Sequence, residues 1–361
     1  MNSKVNVTKT KLETTELLNQ KLTDAMMAAL KTVHSAASPD STDLEDLAFQ
    51  RKGQEVLGRL MSPPIGFSWE PFSLDEMPMA WVRPERGHDR SKVILYCHGG
   101  GYTSGNLGYA RVLAAKMASA TGCEVLAFQY RLAPEFPYPA ALEDALAAWE
   151  YLMHQGWGAR DIILAGDSAG GNLALELTLA LKEQGRFLPG RLVLFSPWTD
   201  MTASGDSYTQ REELDPMLTN RYIQSVRSAY APDADYSQPC FSPLFGDLTG
   251  FPPTLIQVGE REILYSDSTR LQDALIAAGV PCVLQSWPDM WHVFQMFPLK
   301  SAGEAMTAVA DFLYGDNVFE KDGIRRDRTG DGEKTRCLCG KRGIFNRDGP
   351  AMGPQIIRQL E

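Results

Sequence analysis

The sequence predicts an α/β fold in which a parallel sheet is covered by helices on both faces. Between residues 92 and 196, short apolar runs alternate with segments of helical periodicity. Within that region, residues 162–175 have a strand-like first half and a helix-like second half, joined by the pattern G-x-S-x-G. The chain has 361 residues, of which 44% are hydrophobic, so it can bury a large core around such a sheet.

Two helices are predicted ahead of the first strand. Apolar residues at steps of four and three predict a helix over residues 8–35, and a Ser/Pro/Asp stretch at 38–41 ends it. A second helix is predicted over residues 44–60. The stripe of the first helix consists of Leu18, Leu22, Met26, Leu30 and Val33. We interpret the stripe as packing, with the lining of a pocket as the alternative, and expect residues 1–65 to be cap helices added to the sheet domain.

The sheet is predicted to begin near residues 79–83 and to continue in one α/β domain over residues 66–314. Further strands are predicted at 92–97, 124–130, 162–165, 191–196, 254–258 and 282–287, and helices at 107–121, 140–155, 169–182, 267–278 and 300–314. Residues 199–242 interrupt this alternation, first with polar residues and then with a helix from Pro216. Because the insertion follows a strand, it is expected to hang over the carboxyl edge of the sheet and to pair with the N-terminal helices as a lid.

The composition changes beyond Gly315. The tail at 315–361 carries 10 basic and 8 acidic residues with little apolar periodicity, so we expect it to be disordered. Cys337 and Cys339 stand one residue apart in this tail, without a third ligand nearby. Two such cysteines are weak evidence for a metal site.

The charge and the cysteines narrow the setting in which the protein works. A formal net charge of −10 argues against nucleic acid or an anionic membrane surface as a partner, because both attract a basic face. No apolar run reaches the roughly 18 residues of a membrane span, and the polar amino end does not resemble a secretion signal. The six cysteines do not make a disulfide framework in a chain of this length. We therefore expect a cytoplasmic protein.

The pattern G-x-S-x-G centres on Ser168. Gly166 and Gly170 flank a tight strand-to-helix turn, where neighbouring backbone comes so close that only residues without a side chain fit. Such a turn holds the serine hydroxyl at the carboxyl end of a strand, above a helix N-terminus. The pattern also arises by chance in long chains, but the strand before it and the helix after it favour a nucleophile elbow.

A second glycine cluster ends an apolar strand. His98 is followed by three glycines at 99–101, whose backbone N–H groups lack shielding side chains and can point at one spot. A flexible turn is the simple interpretation. The functional interpretation is an oxyanion hole, in which the N–H groups of Gly99, Gly100 and Ala169 bind a developing alkoxide. The sequence leaves open which two of the three glycines donate, and His98 is expected to be structural rather than a base.

A serine nucleophile needs a base, and His292 is the best placed of the five histidines. It follows the strand at 282–287 and precedes the last predicted helix, so it is expected at the same sheet edge as Ser168. The other histidines lie on predicted helices, in a polar loop or in the glycine cluster: His34, His88, His98 and His154. A histidine among aromatic residues is often a satisfied core residue, but the loop position favours a catalytic base.

The base needs an orienting carboxylate that lies between the serine and the histidine in chain order. Three acids follow the strand at 254–258, namely Glu260, Glu262 and Asp267. Glu262 is favoured because the two apolar residues after it anchor that segment inward. Asp267 is the alternative, although it begins a predicted helix and suits a cap. Glu260 is expected to be solvated.

These motifs resemble those of the hormone-sensitive-lipase family of α/β-hydrolases, in its bacterial carboxylesterase and acetyl-hydrolase branch. The matching segments are 98–101, 130–135, 166–171, Gly259 with Glu262, and 290–294, within about residues 75–314. The resemblance implies an α/β-hydrolase fold with an eight-stranded, mostly parallel sheet, helices on both faces and a helical cap. Many relatives have Asp where this chain has Glu262. They also often have Asp at the position of Gln129. This difference is expected to affect only the contacts that support the glycine loop.

The residues and the resemblance together predict a serine carboxylic-ester hydrolase that acts on small or short-acyl esters through an acyl-enzyme. Ser168, His292 and Glu262 are the predicted nucleophile, base and orienting acid, and no metal or cofactor is needed. Amide deacetylation, lactone opening and acyl transfer use the same residues and stay open, as does a non-catalytic, ligand-binding protein of this fold. The resemblance further implies that residues 282–314 can form a homodimer edge.

Overall fold

The structure is a computed structural model that describes residues 18–31, 43–60, 66–85 and 87–315. Its helices are α1 (residues 18–31), α2 (Leu44–Leu60), α3 (Leu107–Thr121), α4 (Ala140–His154), α5 (Ala169–Glu183), α6 (Ser207–Gln210), α7 (Asn220–Tyr230), α8 (Tyr265–Ala277) and α9 (Lys300–Tyr314). Its strands are β1 (Phe67–Leu74), β2 (Met77–Pro84), β3 (Asp89–Cys97), β4 (Cys123–Phe128), β5 (Ile162–Asp167), β6 (Arg191–Phe195), β7 (Thr254–Gly259) and β8 (Cys282–Trp287). The predicted tail with its two cysteines, and the predicted helix ends at 8–17 and 32–35, lie outside the described residues.

Eight strands form one sheet in the order β1-β2-β4-β3-β5-β6-β7-β8. Strand β2 is antiparallel to both of its neighbours, and all pairs from β4 to β8 are parallel. The α/β fold with an eight-stranded, mostly parallel sheet is therefore confirmed. Because the parallel strands run in one direction, the loops after β3, β5, β6, β7 and β8 leave the sheet at the same edge.

Helices cover both faces of the sheet, and side chains alternate between two cores along the central strands. In β5, Leu164 packs in the core under α4, α5 and α8, whereas Ala165 packs in the core under α3 and α9. The elbow helix α5 buries one leucine face completely, with Leu173, Leu177 and Leu181 all at 0% exposure. Burial on both sides explains why the central strands are continuous apolar runs.

Strand β1 was not predicted from the sequence, which placed the start of the sheet near residue 79. Among the described strands it pairs only with β2, and it forms one edge of the sheet. Pro71 lies in its middle and lacks a backbone N–H, which an edge strand tolerates because one of its sides has no partner. Phe67 and Trp69 pack against the core on the α3 side. Side-chain packing therefore stabilises this strand in addition to its backbone hydrogen bonds with β2.

The first N-terminal helix, α1, packs on the sheet domain with part of its predicted stripe. Met26 and Leu30 lie against the core on the α3 side, whereas Leu18 and Leu22 are exposed. Val33 lies outside the described residues. The packing interpretation thus applies to the second half of the stripe. Within the described ranges, none of the helices combines the length and the hydrophobicity that crossing a bilayer requires.

Helix α2 is attached to the carboxyl edge of the sheet through Arg51. The guanidinium donates to both carboxylate oxygens of Glu135, at 2.7 and 2.9 Å. It also donates to the carbonyl oxygens of Thr103 and Ala133, at 2.8 and 3.0 Å. Ala133 in turn donates its N–H to the carbonyl of Tyr102 at 2.9 Å. Helix α2 therefore lies against the backbone that follows the glycine cluster.

The elbow between β5 and α5 has no room for side chains at its two glycines. A Cβ at Gly170 would lie 2.1 Å from the carbonyl oxygen of Cys97 in β3. A Cβ at Gly166 would lie 2.1 Å from the carbonyl oxygen of Gly170. Both distances are far below van der Waals contact, and backbone atoms cannot rotate away as a side chain can. Close packing of the backbone therefore requires glycine at both positions of the pattern.

We expect Gly170→Ala to lower the free energy of unfolding by about 2–4 kcal/mol, because β3 or α5 must move to admit the methyl group. Gly303→Ala is the matched control: Gly303 lies in α9 with nothing within 4 Å of an added Cβ. Alanine is the better helix former, so this variant is expected to be more stable by about 0.5–1 kcal/mol. Urea unfolding measures both changes, and a Gly170→Ala midpoint equal to that of the parent would show that the elbow accepts a side chain.

Candidate active site

Ser168 lies at the turn between β5 and α5, with φ of 54° and ψ of −120°. Residues other than glycine rarely adopt such a positive φ, so the turn is strained, as is typical of a nucleophile elbow. The Ser168 N–H donates to the carbonyl of Phe195 at 3.0 Å, and the serine is half-buried. The backbone thus holds this residue at the carboxyl edge of the sheet, at the N-terminus of α5.

Glu262 and His292 form a buried pair at the same edge. Glu262 lies in the turn between β7 and α8, and its Oε2 is 2.9 Å from Nδ1 of His292, in the loop after β8. Burial disfavours the imidazolium, but the hydrogen bond and the negative charge of Glu262 outweigh it and raise the pKa of His292. A carboxylate can only accept, so Nδ1 carries the proton, and Nε2 of the neutral ring keeps its lone pair.

Ser196, which no motif of the sequence indicates, connects these loops. Its hydroxyl donates to Oε1 of Glu262 at 2.7 Å and accepts the N–H of Val293 at 3.1 Å. The residue before it, Phe195, accepts the N–H of Ser168. The Phe195 carbonyl and the Ser196 hydroxyl, at the end of β6, therefore contact the elbow, the acid and the histidine loop. The feature of the sequence that could have indicated a role for Ser196 is its position directly after an apolar strand.

The hydroxyl of Ser168 and the imidazole of His292 are not hydrogen-bonded to each other among the contacts of the described chain. A bond between a nucleophile and its base is often long before substrate binds and shortens in the complex. Val293 has φ of 49°, which is unusual for a β-branched residue. The loop that carries His292 is therefore strained next to the imidazole and is held in place by the bond to Ser196.

Of the three acids after β7, only Glu262 reaches the imidazole. Asp267 lies in the first turn of α8, where its Oδ2 accepts the N–H groups of Thr199 and Asp200 at 2.7 and 3.0 Å. Burial raises the pKa of Asp267 to about 8, and the hydrogen bonds from the two backbone N–H groups act against that rise. Glu260 is half-buried and accepts the hydroxyl of Ser286 at 3.0 Å.

Asp167, the residue before the serine, supports the glycine cluster. Its buried carboxylate accepts the hydroxyl groups of Tyr96 and Tyr109 at 2.5 and 2.6 Å. It also accepts the N–H of Gly99 at 2.9 Å. Burial raises the pKa of Asp167, and the hydrogen bonds from these three donors act against that rise. The N–H of Gly99 is therefore occupied by Asp167 and is not open to a ligand.

Three backbone N–H groups of the glycine cluster and of the start of α5 have no hydrogen-bond partner within the described residues, namely those of Gly100, Gly101 and Ala169. The carbonyl of Gly100 accepts two N–H groups from the turn that follows, which fixes the loop. Ala169 begins α5, so the partial positive charge of the helix N-terminus adds to its donor. Such a set of donors can stabilise a negatively charged oxygen beside the serine.

His98 contacts the loop rather than the serine. Its Nδ1 lies 2.8 Å from the carbonyl oxygen of Gly99, and its ring stacks on Tyr130 with 4.2 Å between centroids. Burial lowers the pKa of His98 to about 4, so the ring is neutral near pH 7. Gln129 accepts the N–H of Leu107 at 3.4 Å, at the start of the helix after the glycine loop. Both residues support the loop backbone.

Comparison with known proteins places the chain among enzymes of one fold. A family model described as the alpha/beta hydrolase fold matches residues 94–296, more than half of the chain. An acetyl-hydrolase of Streptomyces hygroscopicus is 38% identical over 265 residues, which cover 73% of this chain and 86% of that protein. An esterase of Acinetobacter venetianus is 38% identical over 225 residues, which cover 62% of this chain and 74% of that protein.

A solved structure agrees with this placement over most of the chain. The crystal structure of an esterase from the bacterial hormone-sensitive lipase family is similar, with a TM-score of 0.75 and 36% sequence identity. The match covers 81% of this chain and 96% of that one. Sheet order, sequence identity and structural similarity agree, and the chain belongs to the bacterial hormone-sensitive-lipase family of α/β-hydrolases.

Proposed function

We propose that the protein hydrolyses carboxylic esters of short acids, with Ser168 as nucleophile, His292 as general base and Glu262 as the orienting acid. One observation carries this proposal. It is the buried contact of 2.9 Å between His292 Nδ1 and Glu262 Oε2, at the sheet edge where the strained elbow presents the serine. The similar proteins named acetyl-hydrolase and esterase support the choice of an ester bond.

The reaction has two halves that use the same histidine. In the first, Nε2 of His292 takes the proton of Ser168 as Oγ attacks the ester carbonyl, and it then protonates the leaving alcohol. In the second, His292 activates a water molecule that attacks the acyl-serine and releases the acid. Glu262 keeps the proton of the neutral ring on Nδ1 and offsets the positive charge of the imidazolium. Because the pair is buried, solvent screens this attraction weakly.

The oxyanion of the tetrahedral intermediate is assigned to the N–H groups of Gly100, Gly101 and Ala169. These groups have no partner among the described residues, and the glycine cluster is bonded to the residue before Ser168 through Gly99 and Asp167. Gly99 was expected as a donor, but its N–H is bonded to Asp167 at 2.9 Å, so we leave it out of the set. A donor of this kind stabilises the transition state by about 3–4 kcal/mol.

The N-terminal helices and the insertion at about 199–242 are assigned to a cap over this site. Arg51 bonds α2 to the backbone after the glycine cluster. Helix α7 of the insertion packs on the cluster itself, since a Cβ at Gly101 would lie 2.6 Å from the Tyr222 hydroxyl. Side chains this close leave limited space for an acyl group, which supports short-acyl esters as the substrate class.

We assign the protein to the cytoplasm, as a homodimer. The described cysteines are all free thiols, which fits a reducing compartment: Cys97, Cys123, Cys240 and Cys282. Strand β8 lies at an edge of the sheet and its residues are half-buried. An edge strand offers unpaired backbone groups, so a second copy of the chain can pair there.

Covalent labelling and an ester series test the proposed function together. A fluorophosphonate probe is expected to modify Ser168, as located by peptide mass spectrometry. For p-nitrophenyl esters, kcat/KM is expected to be highest for acetate to butyrate and to fall for octanoate and dodecanoate. An unlabelled protein that hydrolyses none of these esters would contradict the proposal, and a preference for dodecanoate would contradict the short-acyl assignment.

A further inference from the structure

Asp215, in the insertion, reaches the backbone beside the proposed triad acid. Its Oδ2 accepts the N–H of Ile263, the residue after Glu262, at 2.9 Å. Its Oδ1 accepts the N–H groups of Met217 and Leu218 at 2.9 and 3.0 Å. The residue is 8% exposed. One buried carboxylate thus ties a turn of the insertion to the turn between β7 and α8.

The charge of Asp215 also acts on His292. Three acidic groups face the imidazole: Glu262 from the turn after β7, Asp215 from the insertion and Asp167 from the end of β5. Burial lowers the pKa of His292, and each of the three negative charges raises it. Burial raises the pKa of Asp215 to about 6, so this carboxyl is largely ionised above about pH 7.

The insertion supplies only one of these three acids. Glu262 and Asp167 follow or end strands of the sheet, so their positions are fixed by the central core. Asp215 depends on the seating of the insertion, since two of its three hydrogen bonds are made to its own turn and one crosses to Ile263. The electrostatic potential at the His292 imidazole therefore depends on a segment outside the sheet.

We propose that Asp215 is a positioning residue of the hydrolytic site: it holds the backbone beside Glu262 and adds a negative charge near His292 to those of Glu262 and Asp167. The inference rests on the proposed function and extends it, because it makes the basicity of the histidine depend on the seated insertion. Asp215 is assigned no contact with the substrate or the reacting atoms, and it acts through Glu262 and His292.

Asp215→Asn removes the charge and keeps one acceptor oxygen. The loss of this charge is expected to lower the pKa of His292. Because the unprotonated imidazole is the base, the acid limb of the pH profile of kcat/KM is expected to shift to lower pH by about 0.5–1 pH unit. The plateau of kcat/KM is expected to fall by about tenfold, because the Glu262 segment loses a support. Asp215→Glu keeps the charge and is expected to bring the limb back toward that of the parent.

Asp235→Asn is the matched control in the same insertion. Its carboxylate is exposed and, among the described residues, accepts bonds only from Ser237 and Gln238, so the pH profile is expected to stay unchanged. If Asp215→Asn fails to fold, Asp215→Ser supplies a smaller neutral acceptor for the same comparison. If the acid limb of the pH profile stayed in place in both Asp215→Asn and Asp215→Ser, the inference would be overturned, however much the rate fell.

An NMR titration of the His292 ring separates this inference from the proposed function. The titration uses the full chain with Ser168→Ala, with and without Asp215→Asn, and His292→Gln assigns the signal. The pKa of His292 is expected to fall by the same amount as the kinetic limb. An unchanged pKa would reduce Asp215 to a structural residue. A lowered pKa in a protein whose parent hydrolyses no ester would uphold the electrostatic role and overturn the proposed function instead.

Discussion

Ser168→Ala is expected to lower kcat for ester hydrolysis by at least about 10⁴-fold. Alanine keeps the Cβ, so the backbone at φ of 54° retains its contacts, while the oxygen that attacks the ester is removed. The oxyanion donors remain and support only a small residual rate over water. Steady-state kinetics with p-nitrophenyl acetate measures the loss, and the fluorophosphonate label is expected to disappear with it.

Ser91→Ala is the matched control for that variant. Ser91 is exposed near the amino end of β3, at the edge of the sheet opposite the candidate site. Its removal is expected to leave both the rate and the label unchanged. If Ser168→Ala hydrolysed p-nitrophenyl acetate at the parental rate, the nucleophile would lie elsewhere and the proposed mechanism would be wrong.

The fold was predictable wherever burial decides the residue pattern. Strands such as β5 and β6 are covered on both faces, so they appear in the sequence as short continuous apolar runs. Strand β1 was missed because it is covered incompletely and contains Pro71, which only an edge accepts. The insertion helix was expected from Pro216 but begins at Asn220, since the Thr219 side chain accepts the N–H of Tyr222 at 3.0 Å and caps it.

The candidate site was predictable to the extent that it depends on strand ends. Ser168, Glu262 and His292 each follow an apolar strand, and parallel strands bring their carboxyl ends to one edge. The fate of single backbone N–H groups was not predictable. Gly99 donates to a carboxylate 68 residues away, and Asp215 acts through the N–H of Ile263. Every residue except proline carries such a group, so the sequence has no signature for the contact.

Glu262→Gln is expected to lower kcat by about 10³–10⁴-fold. Three donors converge on this carboxylate. The N–H of Gly259 and the hydroxyl of Ser196 donate to Oε1 at 2.5 and 2.7 Å, and Nδ1 of His292 lies 2.9 Å from Oε2. An amide keeps one oxygen and replaces the other with a donor, so a buried donor must face another donor. Where the amide faces His292, the ring adopts the tautomer that is protonated on Nε2 and cannot accept the serine proton.

Asp267→Asn tests the competing acid with the equivalent substitution. Its Oδ2 binds two backbone N–H groups, which an amide oxygen can still accept, so kcat is expected to fall less than about tenfold. The pH profiles separate the two acids further. Glu262→Gln removes the hydrogen-bonded one of the three negative charges that raise the pKa of His292, so its acid limb is expected at lower pH, while that of Asp267→Asn stays in place. If the larger loss and the moved limb were found in Asp267→Asn, the orienting role would pass from Glu262 to Asp267, because the imidazole must respond to whichever carboxylate holds it.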